Sequence, residues 1–364
     1  MVTSRAAPLL ARCGEPLESS MQGRRKDRLS DPAPSHAIIY IPGFMPVGAQ
    51  TSTNQIDDLF QLLQVDRVAT RAIITDGVQG NRLTYAGTTC DVFMATWQDR
   101  LDRLSGKPLI YRVFRSVSLI VIGIPVWLRQ FFSSSPAFAA QTTVGMMSLI
   151  SFAYLAVATT LTGFHLAKGS VIGTIFDANK WWFISLALFV ASTGIATGDI
   201  ADIVDAYNRY VTDPNSVLRD RIRRYLCCVI DKITAAGYSE IAVVAHSFGA
   251  LLAIDSIPHR AKESTRINLA TLGASFGYIL DLQSSQVEIL IDHCRGSVGR
   301  WIDITSANDP VASGVSAVRS DLNAIEQRVD LSSTFWDYLS ASIHSAYFAN
   351  SDVRLKVKKC IMGI

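Results

Sequence analysis

Apolar residues come in short continuous runs and in spaced stripes, and the two alternate along the chain. His36-Ala37-Ile38-Ile39-Tyr40-Ile41 is a continuous run stopped by Pro42-Gly43, which predicts a buried strand ending in a loop. Between residues 51 and 65, Ile56, Leu59, Phe60 and Leu63 recur at helical spacing behind Ser52 or Thr53 as an N-cap. Further strands are predicted at 71–75, 91–96, 267–272 and 301–305. A helix is predicted from Thr212-Asp213-Pro214, where a capping side chain precedes proline, to about Ala235, with Gly237 closing it. Ile241-Ala242-Val243-Val244 reads as a strand, and Ala250-Leu251-Leu252-Ala253-Ile254 begins a helix soon after it. Ser332 to Ser342 looks helical, and the chain ends near the basic stretch Arg354-Leu355-Lys356-Val357-Lys358-Lys359. This alternation predicts an α/β protein with a doubly wound, mostly parallel sheet and helices on both faces.

The middle of the chain breaks the rhythm. Residues 143–167 and 181–198 contain no Asp, Glu, Lys or Arg, and each run approaches the ~20 residues that cross a bilayer as a helix. Trp181 and Trp182 stand at one edge, as in an interfacial belt. A shorter run, Val117 to Leu128, is interrupted by Gly123 and Pro125 and flanked by Arg112, Arg115 and Arg129, which suits a helix lying on a membrane surface. Strands before and after the insertion must share one sheet, so the number of crossings is even. Arg100, Arg103, Lys107, Arg112, Arg115 and Arg129 precede the hairpin, and Arg209, Arg219, Arg221, Arg223 and Arg224 follow it. The intervening loop offers only Lys168 and Lys180, so the positive-inside bias puts the remainder of the chain on the cytoplasmic side of an integral membrane protein.

Composition agrees with this expectation. Apolar residues make up 49% of the 364 and charged residues only 18%. A net charge of +3, with no basic-aromatic motif, argues against nucleic acid as a partner. The six cysteines, at 13, 90, 227, 228, 294 and 360, show neither metal-ligand spacing nor a disulfide framework. No metal or cofactor is expected. The Arg-, Ser- and Pro-rich residues 1–35 read as a disordered tail. The expected organisation is that tail, a first part of the α/β domain at 36–108, a helical insertion at 109–200 and a second part at 201–364.

The candidate chemistry lies between the strand at 241–244 and the helix that follows. Ala245-His246-Ser247-Phe248-Gly249 puts a serine at the apex of a strand-turn-helix bend, with small residues two before and two after it. A serine hydroxyl needs a base, and the base needs an orienting acid. In such sheets the order along the chain is serine, acid, histidine. His259 lies on the serine's own helix, about 18 Å along its axis, too far to serve. His293 falls in an amphipathic helix or loop and reads as solvated, which leaves His344 as the base. Asp309, in Asn308-Asp309-Pro310-Val311 just after the strand at 301–305, is the candidate acid, with Asp303 inside that strand as an alternative. An oxyanion would be met by the backbone N–H groups of Phe248 and Phe44. Gly43, Met45 and His246 are candidate substrate-binding residues, and Gly43 allows close backbone approach.

These pieces (Ile38 to Phe44, Ile241 to Ile254, Trp301 to Val311, and His344) resemble the α/β-hydrolase superfamily, in particular its lipases and esterases. His246 before the serine is similar to the lipase form of the bend. Two departures stand out: Pro42-Gly43 replaces the usual His-Gly, and Ala245 replaces the first glycine. The resemblance implies an α/β-hydrolase sheet carrying an inserted transmembrane hairpin. It also implies a Ser247–His344–Asp309 acyl-enzyme mechanism on carboxylic esters of lipids or other acylated amphiphiles, with a bilayer as partner. Two other readings remain open: an inactive hydrolase scaffold used for binding or assembly, and a soluble esterase whose apolar insertion caps the site.

Overall fold

The computed structural model describes residues 35–44, 51–65, 70–85, 87–101, 107–108, 197–212, 216–260, 266–309, 312–322, 325–331 and 342–362, with isolated positions between 111 and 150. Among the described residues, eight strands form one sheet. They are β1 (His36–Ile41), β2 (Arg71–Thr75), β3 (Val78–Tyr85), β4 (Thr88–Met94), β5 (Glu240–His246), β6 (Ile267–Leu272), β7 (Arg300–Thr305) and β8 (Glu326–Arg328). Their order is β2-β3-β4-β1-β5-β6-β7-β8. β3 runs antiparallel to β2 and β4, and every other pair is parallel. The chain is therefore α/β with a mostly parallel sheet, as the alternating pattern predicts.

The central strands are covered on both faces, which is why they read as unbroken apolar runs. The even-numbered Ile38, Tyr40, Ala242 and Val244 pack beneath α1 (Thr51–Leu63), the 3-10 helix Ser342–Phe348 and the C-terminal helix. The odd-numbered Ile39, Ile41, Val243 and Ala245 pack beneath α2 (Thr197–Thr212), α3 (Val217–Ala235), α4 (Phe248–Ser256) and α5 (Phe276–Ser297). On this second face the buried Arg219 guanidinium grips Asp255 at 2.9 and 2.8 Å, and Tyr210 donates to the same carboxylate at 2.7 Å. Those bonds fix the far end of α4 to α2 and α3.

Register brings the ends of four strands to one edge. Ile41 stands beside Ala245, His246 beside Leu272, and Leu272 beside Ile304. The loops that follow β1, β5, β6 and β7 therefore open side by side, the usual place for function in such a sheet.

Several expectations change. The cap of α3 is Ser216, whose hydroxyl accepts from Arg219 N at 3.0 Å; the predicted start at Thr212-Asp213-Pro214 is too early because α2 still includes Thr212. The basic stretch near the C-terminus is the outer face of α6 (Ser351–Ile361), which buries Val353, Val357, Cys360 and Ile361. The predicted helix at 332–342 and the tail at 1–34 lie outside the described residues, apart from Ser342 at the start of the 3-10 helix.

The integral-membrane expectation, with its cytoplasmic catalytic side, is corrected. Among the described residues no helix is long and apolar enough to cross a membrane. The longest of them, α3 and α5, carry charged side chains along their length, and the end of the second uncharged run merges into α2, which carries Asp202, Asp205 and Arg209. Runs 143–167 and 181–198 otherwise fall outside the described residues, save positions 147 and 150. Of the stretch 117–128, only 118, 124 and 128 are described, each helical.

Candidate active site

Ser247 leaves the end of β5 with φ 55° and ψ −126°, a left-handed backbone that a side chain adopts only when its surroundings hold it there. Its N–H donates to Leu272 O at 2.9 Å and its carbonyl accepts from Ala250 N at 3.0 Å, so both sides of the bend are tied down. Gly249 is required by packing against β1: a Cβ there would stand 2.3 Å from Ile41 O and 2.6 Å from Pro42 O. The collision is with the end of the neighbouring strand β1. Phe248 begins α4 and is buried among Trp97, Tyr207 and Tyr210.

The loop after β1 is pressed onto this bend. A Cβ on Gly43 would stand 2.8 Å from Ser247 Cβ. Trp97 Nε1 donates to Pro42 O at 2.7 Å, and Gln98 Nε2 donates to Gly43 O at 2.6 Å. In a trans peptide the N–H points opposite to the C=O. Pinning Gly43 O toward Gln98 thus aims the Phe44 N–H away from Gln98. Sequence reasoning missed Trp97 and Gln98, because their role depends on a contact across 55 residues. Met45, a candidate substrate contact, lies outside the described residues. A shallow recess beside Phe44 is lined by Leu101, Asp202, Asp205, Ala206, Arg209 and Leu218.

Asp309 is buried in the loop after β7, where its Oδ2 accepts from His344 Nδ1 at 2.7 Å and its Oδ1 from Ala312 N at 3.3 Å. Asn308 ties the same loop to the segment after β8 through Asp330 and the Leu331 carbonyl. With the proton on Nδ1, His344 presents a lone pair at Nε2. That nitrogen is buried and makes no hydrogen bond, so Ser247 and His344 are not bonded in this structure. Catalytic hydrogen bonds often tighten only when substrate binds. Gly273, with φ 56°, admits the ring: a Cβ there would lie 3.1 Å from His344 Cε1, 3.3 Å from Asp309 Oδ2 and 2.8 Å from Tyr347 Cε2. The imidazole therefore packs against the residue following Leu272, whose carbonyl binds the Ser247 amide. Burial, and then the nearby Asp309 carboxylate, hold the Tyr347 phenol well above its usual range.

His246 is buried, and its Nε2 lies 2.8 Å from the carbonyl oxygen of His344. Burial, and then the neighbouring His344, push its pKa down to about 3. The alternative acid, Asp303, belongs to the opposite face: its carboxylate accepts from Thr271 Oγ1 at 2.6 Å and Val315 N at 2.7 Å. Burial raises its pKa to about 7. His259 and His293 are exposed and lie on α4's 3-10 extension and on α5. Among the described residues no group of three His, Cys, Asp or Glu side chains could hold a metal ion.

Ser247, His344, Asp309, Gly43, Phe44 and Phe248 thus gather at one edge of the sheet, from the segments after β1, β5 and β7 and from the 3-10 helix Ser342–Phe348. No family model matches the chain, and neither a curated protein nor a solved structure matches it.

Proposed function

We propose that the protein is a serine hydrolase of the α/β-hydrolase type, lipase- or esterase-like, that cleaves carboxylic esters of lipids or other acylated molecules. One observation carries the reading: a strained serine at the end of β5 shares an edge with a histidine whose Nδ1 is held at 2.7 Å by a buried aspartate after β7. The order serine, acid, histidine along the chain agrees with it.

In this mechanism Ser247 Oγ attacks the ester carbonyl carbon while His344 Nε2 takes the hydroxyl proton. Asp309 keeps the proton on Nδ1 and stabilises the imidazolium. The oxyanion is met by the N–H groups of Phe248 and Phe44. His344 then gives its proton to the leaving alkoxide, and water, activated by the same imidazole, releases the acid and restores Ser247. The purified protein should hydrolyse p-nitrophenyl esters across a panel of acyl lengths, and Ser247→Ala should abolish that activity while keeping the wild-type melting curve. A panel in which wild type and Ser247→Ala are equally inert, or equally active, refutes the proposal.

A further inference from the structure

We propose that His246 is a positioning residue, which clamps the main chain of His344 and so sets the base against Ser247. The inference rests on the triad reading above and adds a fourth side chain to it.

His344 arrives from a 3-10 helix, 98 residues beyond His246, and its segment is not part of the sheet. Asp309 holds the imidazole at one atom only, Nδ1. A ring pinned at a single atom can still tilt if its backbone shifts, and Nε2 would swing with it. His246 removes that freedom by holding the carbonyl of the same residue at 2.8 Å. A carbonyl can only accept, so His246 carries its proton on Nε2. The two holds come from the end of β5 and from the loop after β7, so His344 is gripped by ring and by main chain together.

The surroundings of His246 suit a clamp better than a surface for substrate. Its ring lies 4.8 Å from that of His344, 4.9 Å from that of Phe348 and 6.3 Å from that of Tyr347. On the other side, a Cβ on Gly43 would stand 3.2 Å from Nδ1. Because burial keeps this imidazole neutral, it does not oppose the positive charge that His344 gains during catalysis. Being next to Ser247 in the chain, it also couples the nucleophile's own strand to the base.

Two substitutions in the full chain separate clamping from packing. His246→Gln keeps a donor at the reach of Nε2 but no ring; His246→Phe keeps a ring but no donor. With a p-nitrophenyl ester, His246→Phe should lower kcat about ten- to a hundredfold at unchanged KM, and His246→Gln should recover most of it. A plain packing role predicts the reverse ranking. Melting curves accompany each variant, and His246→Leu replaces the Phe variant should that one fail to fold.

A second readout does not depend on activity. In the 15N-histidine-labelled chain between pH 5.5 and 8.5, His246 should stay protonated on Nε2 and should not titrate. The His344 Nδ1–H signal should survive in His246→Gln and be lost to solvent exchange in His246→Phe. Titration of His246, a proton on its Nδ1, or the same His344 signal in all three proteins overturns the proposal. A wild type without esterase activity sinks the hydrolase reading alone, and the spectra still decide this one.

Discussion

His344 donates from Nδ1 to the buried Asp309 carboxylate at 2.7 Å, although 35 residues of chain separate them. An amide in place of that carboxylate can hold the ring in the wrong tautomer, with the proton on the nitrogen that must accept from Ser247. Asp309→Asn should therefore fold normally and lose about 10⁴-fold in kcat. Steady-state ester hydrolysis, with circular dichroism as the check on folding, measures both halves of that expectation.

Two glycines leave room that no other residue can. Gly273→Ala would strain a backbone at φ 56° and drive a methyl into Tyr347 and His344, at 2.8 and 3.1 Å. Gly43→Ala would set a methyl 2.8 Å from Ser247 Cβ. Each change should destabilise by about 1–3 kcal/mol. Each should also cost about a hundredfold or more in kcat, since small displacements of reacting groups are expensive. Urea titration and single-turnover kinetics report the two effects separately.

In the proposed mechanism Gln98 acts through the Gly43–Phe44 peptide, whose Gly43 carbonyl accepts from its side chain. Gln98→Leu leaves the Gly43 carbonyl without its 2.6 Å donor, and the Phe44 N–H loses its fixed aim. The expected result is a fall of about tenfold in kcat with little change in KM. Affinity for a tetrahedral boronic acid should fall in parallel with kcat, which a merely structural role would not require.

His246 also sets a pH dependence of stability. Its folded pKa, about 3, lies below the ordinary histidine value of 6.5. The unfolded chain therefore binds a proton there that the folded chain refuses. This contribution is fully present above about pH 6.5 and is lost as pH falls toward 3. Urea midpoints should drop between pH 7.5 and 5, and His246→Gln should lessen the drop.

Much of this site is legible in the sequence because its parts are local. The strand-serine-helix run and the Asn308-Asp309 loop are contiguous, and buried parallel strands announce themselves as unbroken apolar runs. β3 escapes notice because Val78–Tyr85 is a partly exposed antiparallel strand rich in polar residues. α6 escapes because its narrow apolar stripe is interleaved with lysines. Trp97, Gln98 and Gly273 carry no local signal at all, since each meets a residue far away in the chain. The uncharged runs at 143–167 and 181–198 predict spanning helices, yet among the described residues no helix is long and apolar enough to cross a membrane, because an uncharged stretch of sequence reports hydrophobicity alone.

The proposed hydrolysis requires a nucleophilic Ser247, and a fluorophosphonate probe measures that nucleophilicity directly. Wild-type protein treated with the probe should gain one phosphonyl group, mapped by peptide mass spectrometry to Ser247, and Ser247→Ala and His344→Ala should stay unmodified. Unlabelled wild type beside a labelled control hydrolase, or labelling at another residue, would contradict it.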